Sequence, residues 1–206
     1  MDHQGNKGNR GNMGTEYKPK AGYEYLLAYK ITVPIYDYTV ELSRRCKSPD
    51  YPDFPNLPST RSHDQIVQAA RSGMSNIVEG NKQQSLKGYI YLSGIARGSL
   101  DELLKDFHTY ARQNKIPIWS PDRCKREIRE IRVIWEIIRK TPTLPDSPNF
   151  PNLPYEKDIA INMLITLTKQ ANYLLDKLIL SLHEKHKKIG GLTEKLYKER
   201  KSYRGY

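Results

Sequence analysis

The sequence predicts an all-α protein, and three observations carry that reading. Apolar residues recur at steps of three and four in five separate segments, the spacing of a helix face. Hydroxyl side chains and a proline stand where those segments start, and glycines where some of them end. No stretch alternates apolar and polar residues between turn signals, as a half-buried strand would. At 206 residues, 37% hydrophobic and 28% charged, the chain suits one globular domain, alone or with an appendage.

Residues 1–22, rich in Gly, Asn and Lys, read as a disordered basic tail. A helix is expected from Tyr23 to about Cys46, with Tyr25, Tyr29 and Tyr36 on one face and Pro34 kinking or breaking it. After the proline loop SPDYPDFPNLPS, a second helix runs from about Ser62 to Asn81. Ser62 and Gln65 stand in capping-box spacing, and Ile66, Ala69, Ala70, Met74 and Ile77 form its stripe. The third runs from Ser85 to about Asn114. Ser99 and Glu102 repeat the capping-box spacing there, which predicts a bend or restart at Gly98.

Ser120 as N-cap, Pro121 at the first helical position and Asp122 behind it open a fourth helix, 121–140. Laid out at about 100° per residue from Arg123, Ile128, Ile131, Ile134, Trp135 and Ile138 share one arc. Lys125, Arg126, Arg129, Arg132, Arg139 and Lys140 fall on the opposite side, interrupted by Glu136, while Glu127 sits oddly in the apolar arc. A second proline loop, TPTLPDSPNFPNLP, repeats at 150–154 the FPNLP of residues 54–58. Both loops read as stiff straps across the helices, or as ligands for an SH3-like groove. The last helix, Tyr155 to Lys188, carries Leu164, Leu167, Ala171, Leu174 and Leu178 in a stripe broad enough for more than one neighbour. Gly190 and Gly191 end it, leaving 190–206 as a basic flexible tail.

Thirty-four basic against twenty-three acidic residues give a net charge of +11. The surplus is uneven: +2 over residues 1–22, +3 over 121–140, +5 over 183–206 and +1 over everything else. A polyanion would meet that footprint. The opening MDHQGNKGNRGNMG has no apolar secretory stretch, the chain has no membrane-length run, and two cysteines, Cys46 and Cys124, make no disulfide framework. A soluble, cytoplasmic protein without a membrane role is expected.

Catalytic chemistry is not legible. There is no P-loop, nucleophile elbow or dinucleotide fingerprint. His183 and His186 are three apart but lack a third ligand nearby, and read as a solvated helix end. His63 and His108 read as packed or surface side chains. No metal, no cofactor and no enzyme activity are expected.

The stretch SNIVEGNKQQSLKGYIYLSGIARGSLDELL, residues 75–104, resembles the signature of the four-helix-bundle proteins. That family includes proteins encoded by intervening sequences in bacterial large-subunit ribosomal RNA genes, and accessory variability proteins of diversity-generating retroelements. The residues meeting the pattern are Asn76, Ile77, Glu79, Gly80, Ser85, Tyr89, Ile95, Ala96, Gly98, Ser99 and Glu102, while Gln83, Gln84 and Gly88 depart from it. The resemblance implies an antiparallel four-helix bundle over 23–140, with 141–189 as an added strap and long helix. It also implies assembly into a ring, a homopentamer, and for the retroelement members nucleic-acid binding beside a reverse transcriptase.

The signature residues themselves have structural readings: Gly80 as a helix C-terminal glycine, Gly94 and Gly98 for close helix contact, and Ser99 with Glu102 capping a bend. Asn76 and Glu79 hold the turn. Function is expected instead in the basic arc of 125–140 and in Lys195, Lys198, Arg200, Lys201 and Arg204 of the tail, interleaved with Tyr197, Tyr203 and Tyr206. The expected activity is that of an oligomeric adaptor binding nucleic acid, RNA ahead of DNA. The alternative is a protein-interaction scaffold with no direct nucleic-acid role.

Overall fold

The structure, a computed structural model, describes residues 21–57 and 59–205. The expected N-terminal tail, apart from its last two residues, lies outside the described residues, as do Pro58 and Tyr206. The described residues are helical, with no strand among them. A 3₁₀ turn at Gly22–Tyr25 leads into α1 (Leu27–Arg45). Next come α2 (Thr60–Asn81), α3 (Leu86–Gln113), α4 (Pro121–Glu127), α5 (Arg129–Lys140), α6 (Lys157–Ile189) and α7 (Leu192–Arg204).

Helix α2 lies along α3, α3 along α6, and α1 touches both α2 and α6. Ile31, Ile35, Ile77, Leu100, Leu103, Phe107, Leu164 and Leu175 are buried among them. The expected assignment of 121–140 as the fourth bundle helix therefore needs correcting. It is α6, read from the sequence as an addition, that packs extensively on α3 and α1. Its residues Ala160 to Ile165 are buried without a break, so this part of α6 is enclosed on all sides. Asn162 is accommodated there because its amide is fully used. Its Oδ1 accepts from the Trp119 backbone at 2.8 Å, and its Nδ2 donates to Pro117 O and Asp158 O.

Several local expectations change. Helix α1 runs through Pro34 without ending. An interior proline removes one backbone hydrogen bond, and the fully buried Ile31 and Ile35 hold the turns on either side. The α2 cap is Ser59 rather than Ser62: the Ser59 hydroxyl accepts the Ser62 N–H at 3.2 Å. Helix α3 is unbroken at Gly98, and Ser99 caps nothing. Its hydroxyl lies 3.0 Å from that of Ser72, to which Asn76 donates, so these signature residues tie α2 to α3.

Gly80 sits inside α2 with no left-handed φ. A Cβ there would meet the Tyr89 ring at 3.0 Å and Leu92 Cβ at 3.3 Å, which makes Gly80 a close-contact position instead. Gly94 and Gly98, expected to make such contacts, face open space, and Glu79 and Glu102 are exposed. The tail after Gly190 is not irregular: α7 is a helix whose residues are nearly all exposed. Gly190, at φ 78°, breaks the path of α6, and Glu194 then accepts the Gly191 N–H at the new start.

The proline loops do cross the helices as straps. Tyr110 donates to Pro55 O at 2.9 Å and Tyr38 to Pro151 O at 2.6 Å. The repeated FPNLP segments are used differently, the first burying Phe54 and the second Leu153. Both straps meet at Arg45. Its guanidinium donates to Leu153 O and Pro154 O and stands over the rings of Tyr51 and Phe54 at 5.0 and 5.3 Å.

His63 fixes the first strap to α1. Its Nδ1 accepts from the Ser43 hydroxyl at 3.0 Å, and its Nε2–H donates to Asn56 Oδ1 at 2.8 Å, a pairing that uses the neutral ring. Burial, and secondarily the charge of Lys47, hold its pKa below the ordinary 6.5. The unfolded chain therefore binds more protons there, so this stabilisation is complete above pH 6.5 and is lost as the pH falls. Melting temperature is expected to drop between pH 7.5 and 5, and to drop less in His63→Gln. The carboxyls of Asp37 and Asp106, pushed up by burial, act in the opposite sense at lower pH. Equal acid sensitivity in both proteins would show that His63 does not carry it.

Asn172 of α6 is buried with neither amide atom partnered by protein. Leaving such a group unsatisfied costs about 1–3 kcal/mol. Asn172→Leu is expected to raise the urea midpoint, by the equivalent of about 1 kcal/mol, and a fall in the midpoint would refute this.

Candidate nucleic-acid interface

The basic segment 121–140 is two helices, not one. Backbone dihedrals of −99° and 94° at Ile128 separate α4 from α5. The break resolves the misfit of Glu127. In a continuous helix its carboxylate would share the apolar arc; here it is exposed and pairs with Arg123 at 3.0 Å, while Ile128 beside it is fully buried. Arg123 also covers the Trp119 ring at 3.9 Å, anchoring the start of α4.

On α5, Ile131, Ile134 and Ile138 face the core. Arg129, Arg132, Arg139 and Lys140 are exposed on the other side, and Lys125 and Arg126 are exposed on the last turn of α4. All six expected contacts of this segment are thus solvent-facing, though spread over two helices. Arg139 stands 5.2 Å from the Trp135 ring, whose Nε1 donates to Gln170 of α6. Lys140 pairs loosely with Glu136 at 3.6 Å. Among the described residues, Lys125, Arg126, Arg129 and Arg132 have no acidic partner within ion-pair distance. Four cations within eight residues of sequence, exposed and uncompensated, are available to phosphates.

This surface is held from within by a residue the charge count could not single out. Lys30 of α1 is buried, and its ammonium donates to Ile138 O, Thr141 O and Pro142 O at 2.7, 2.9 and 3.3 Å. Burial lowers its pKa. A cation on these carbonyls satisfies the C-terminal end of α5 and opposes its dipole, which fixes the turn bearing Arg139 and Lys140.

The second expected group is on α7. Lys195, Lys198, Arg200, Lys201 and Arg204 are exposed, with Tyr197 and Tyr203 between them at 67% and 93% exposure. Lys195 makes a long pair with Glu199 at 3.8 Å. The structure brings these residues together on one helix, but α7 does not pack against α4 or α5.

The model of the 23S rRNA-intervening sequence protein family matches residues 32–136, just over half of the chain. The chain belongs to that family. The match begins in α1 and ends in α5, so it includes Lys125, Arg126, Arg129 and Arg132 and excludes α6 and α7. No curated protein and no solved structure matches the chain significantly. Among the described residues, no helix is long and apolar enough to cross a membrane, and no group of three His, Cys, Asp or Glu is placed to hold a metal ion.

Proposed function

We propose that the protein is a non-enzymatic, oligomeric nucleic-acid-binding adaptor of the cytoplasm, taking RNA ahead of DNA. The observation that carries this is the exposed, uncompensated cationic surface of Lys125, Arg126, Arg129 and Arg132 on helices whose opposite faces are buried. Such a surface grips backbone phosphates without reading sequence. The family is named for an intervening sequence of 23S rRNA, and that name favours RNA. Tyr197 and Tyr203 offer rings for stacking on unpaired bases.

Assembly into a homopentamer is part of this reading. Tyr173 and Leu180 of α6 and Ile189 at its end are each about 60% exposed, apolar surface that a second copy would cover. The scaffold alternative draws on the outer face of α3, where Tyr91 and Ile95 are exposed beside the open Gly94 and Gly98. A protein such as a reverse transcriptase would dock there.

Titration of labelled single-stranded RNA and DNA at several salt concentrations tests the proposal. A slope of log K against log salt near −4 is expected if six phosphates are bound, at about 0.7 for each. Light scattering should give a multiple of 23.9 kDa. Absence of binding at 50 mM salt would leave the scaffold reading.

A further inference from the structure

We propose that a cleft on the C-terminal turns of α3 seats one nucleotide of single-stranded RNA, the phosphate on Arg112 and Lys105 and the base over Ile116 and Ile118. This rests on the RNA reading above but uses a surface separate from its candidate residues. The cleft is open, about 470 Å³ in volume, and lined by Lys105, His108, Thr109, Arg112, Ile116 and Ile118.

The first four lining residues are spaced three and four apart, so they form one face of α3. The isoleucines arrive by a tight reversal: Lys115 N–H bonds to Arg112 O and Ile116 N–H to Ala111 O. This hydrogen-bond pattern ends a helix with one left-handed residue, usually glycine. Here that residue is Lys115, at φ 55°. The left-handed conformation costs a lysine roughly 1 kcal/mol, so the turn holds an additional cation beside the cleft where glycine would be less strained.

No carboxylate lines the cleft. Asp101, one turn away, pairs with Lys105 at 3.6 Å but also with Arg97, and Asp106 lies on another side of α3. Arg112 has no ion pair among the described residues, so its planar guanidinium is available for two-pronged phosphate contact. His108 registers the local field: burial, and after it the charge of Lys169 from α6, lower its pKa.

An inorganic anion alone would leave the apolar part unused. Ile116 is buried beneath the cleft and Ile118 is 45% exposed, and a flat base covers both. Thr109 also lines the cleft, and a threonine hydroxyl can pair with a polar group of the base or ribose.

The test uses the full chain, an oligouridine, uridine monophosphate and inorganic phosphate. Trp119, adjacent to Ile118 in sequence, reports in a Trp135→Phe background. Uridine monophosphate should change its fluorescence saturably, and phosphate should compete at least tenfold more weakly. Arg112→Glu should weaken oligouridine at least tenfold, and Ile118→Ser several-fold, with melting temperatures unchanged. Wild-type oligouridine binding that is indifferent to Arg112→Glu overturns the cleft and leaves the RNA reading standing. Phosphate and uridine monophosphate of equal strength overturn the nucleotide assignment. Saturable uridine monophosphate binding without oligouridine binding overturns the RNA reading and keeps a mononucleotide cleft.

Discussion

Replacing Arg45 by alanine is expected to lower the unfolding free energy by about 2–4 kcal/mol, because two strap carbonyls lose charge-assisted hydrogen bonds worth roughly 1–3 kcal/mol each. Arg45 is 5% exposed at the end of α1, and each side of its guanidinium has a task. Nε bonds to Glu41 at 2.8 Å, Nη1 and Nη2 bond to Pro154 O and Leu153 O, and the flat face stands over Tyr51 and Phe54. Alanine would leave two strap carbonyls without their donors and open a void between the straps. For a chain of this size the loss corresponds to about 5–15 °C in melting temperature. Arg45→Lys keeps the charge but not the planar fork, and should recover less than half of it. Urea unfolding of both variants decides; a loss below about 1 kcal/mol for alanine, within the range of exposed pairs, would mean that the straps hold without it.

That dependence on Arg45 and Lys30 marks where sequence reading stops. Helices were legible because burial repeats at their own period: Ile66, Ala70 and Ile77, or Leu164, Leu167 and Ala171, lie in the core as their spacing required. The third helix is legible to its caps because Ser85 stands alone at its start, where its hydroxyl accepts the Gly88 N–H. The start of the second is ambiguous in sequence because Ser59 and Ser62 compete within one turn. Carbonyl partners over a hundred residues away leave no local signature, and both Lys30 and Arg45 have them, although Arg45 also pairs with Glu41 one turn back. The break at Ile128 was hidden by good helix formers on both sides; its sole trace was Glu127 standing in an apolar arc.

The candidate site divides similarly. That Arg129, Arg132 and Arg139 face solvent followed from the same period that buries Ile131, Ile134 and Ile138. The helical state of 192–204 did not, since almost nothing on that helix is buried. Its order rests on local features, such as Glu194 at the start and the Lys195–Glu199 pair, that a search for apolar stripes passes over. Which helix completes the core was hardest to see. Both 121–140 and 155–188 carry apolar faces, and only packing shows that α6 lies along α3.

The triple substitution Arg126→Glu, Arg129→Glu and Arg132→Glu is expected to lower RNA affinity at least about 100-fold at low salt, because three phosphates lose their cations and meet carboxylates instead. The slope of log K against log salt should become shallower by roughly 2–3, at 0.7–0.9 for each phosphate released. Folding should be spared, because these side chains are exposed and bear on none of the isoleucines that seat α4 and α5. The break at Ile128 sharpens the test, since Arg126 lies on one helix and Arg129 and Arg132 on the next. If phosphates are gripped on α5 alone, reversal of Arg126 by itself will change little, whereas Arg129 and Arg132 will account for most of the slope. Mass and binding must be measured on the same protein. Should these arginines pair with Glu130 or Glu136 of a neighbouring copy, the assembly would come apart before binding could be assessed, and light scattering would show it. An intact assembly with unchanged affinity and slope would remove α4 and α5 from the interface. Any binding that survived would then depend on α7, where deletion of residues 190–206 would abolish it without altering the melting temperature, since almost nothing in that segment is buried.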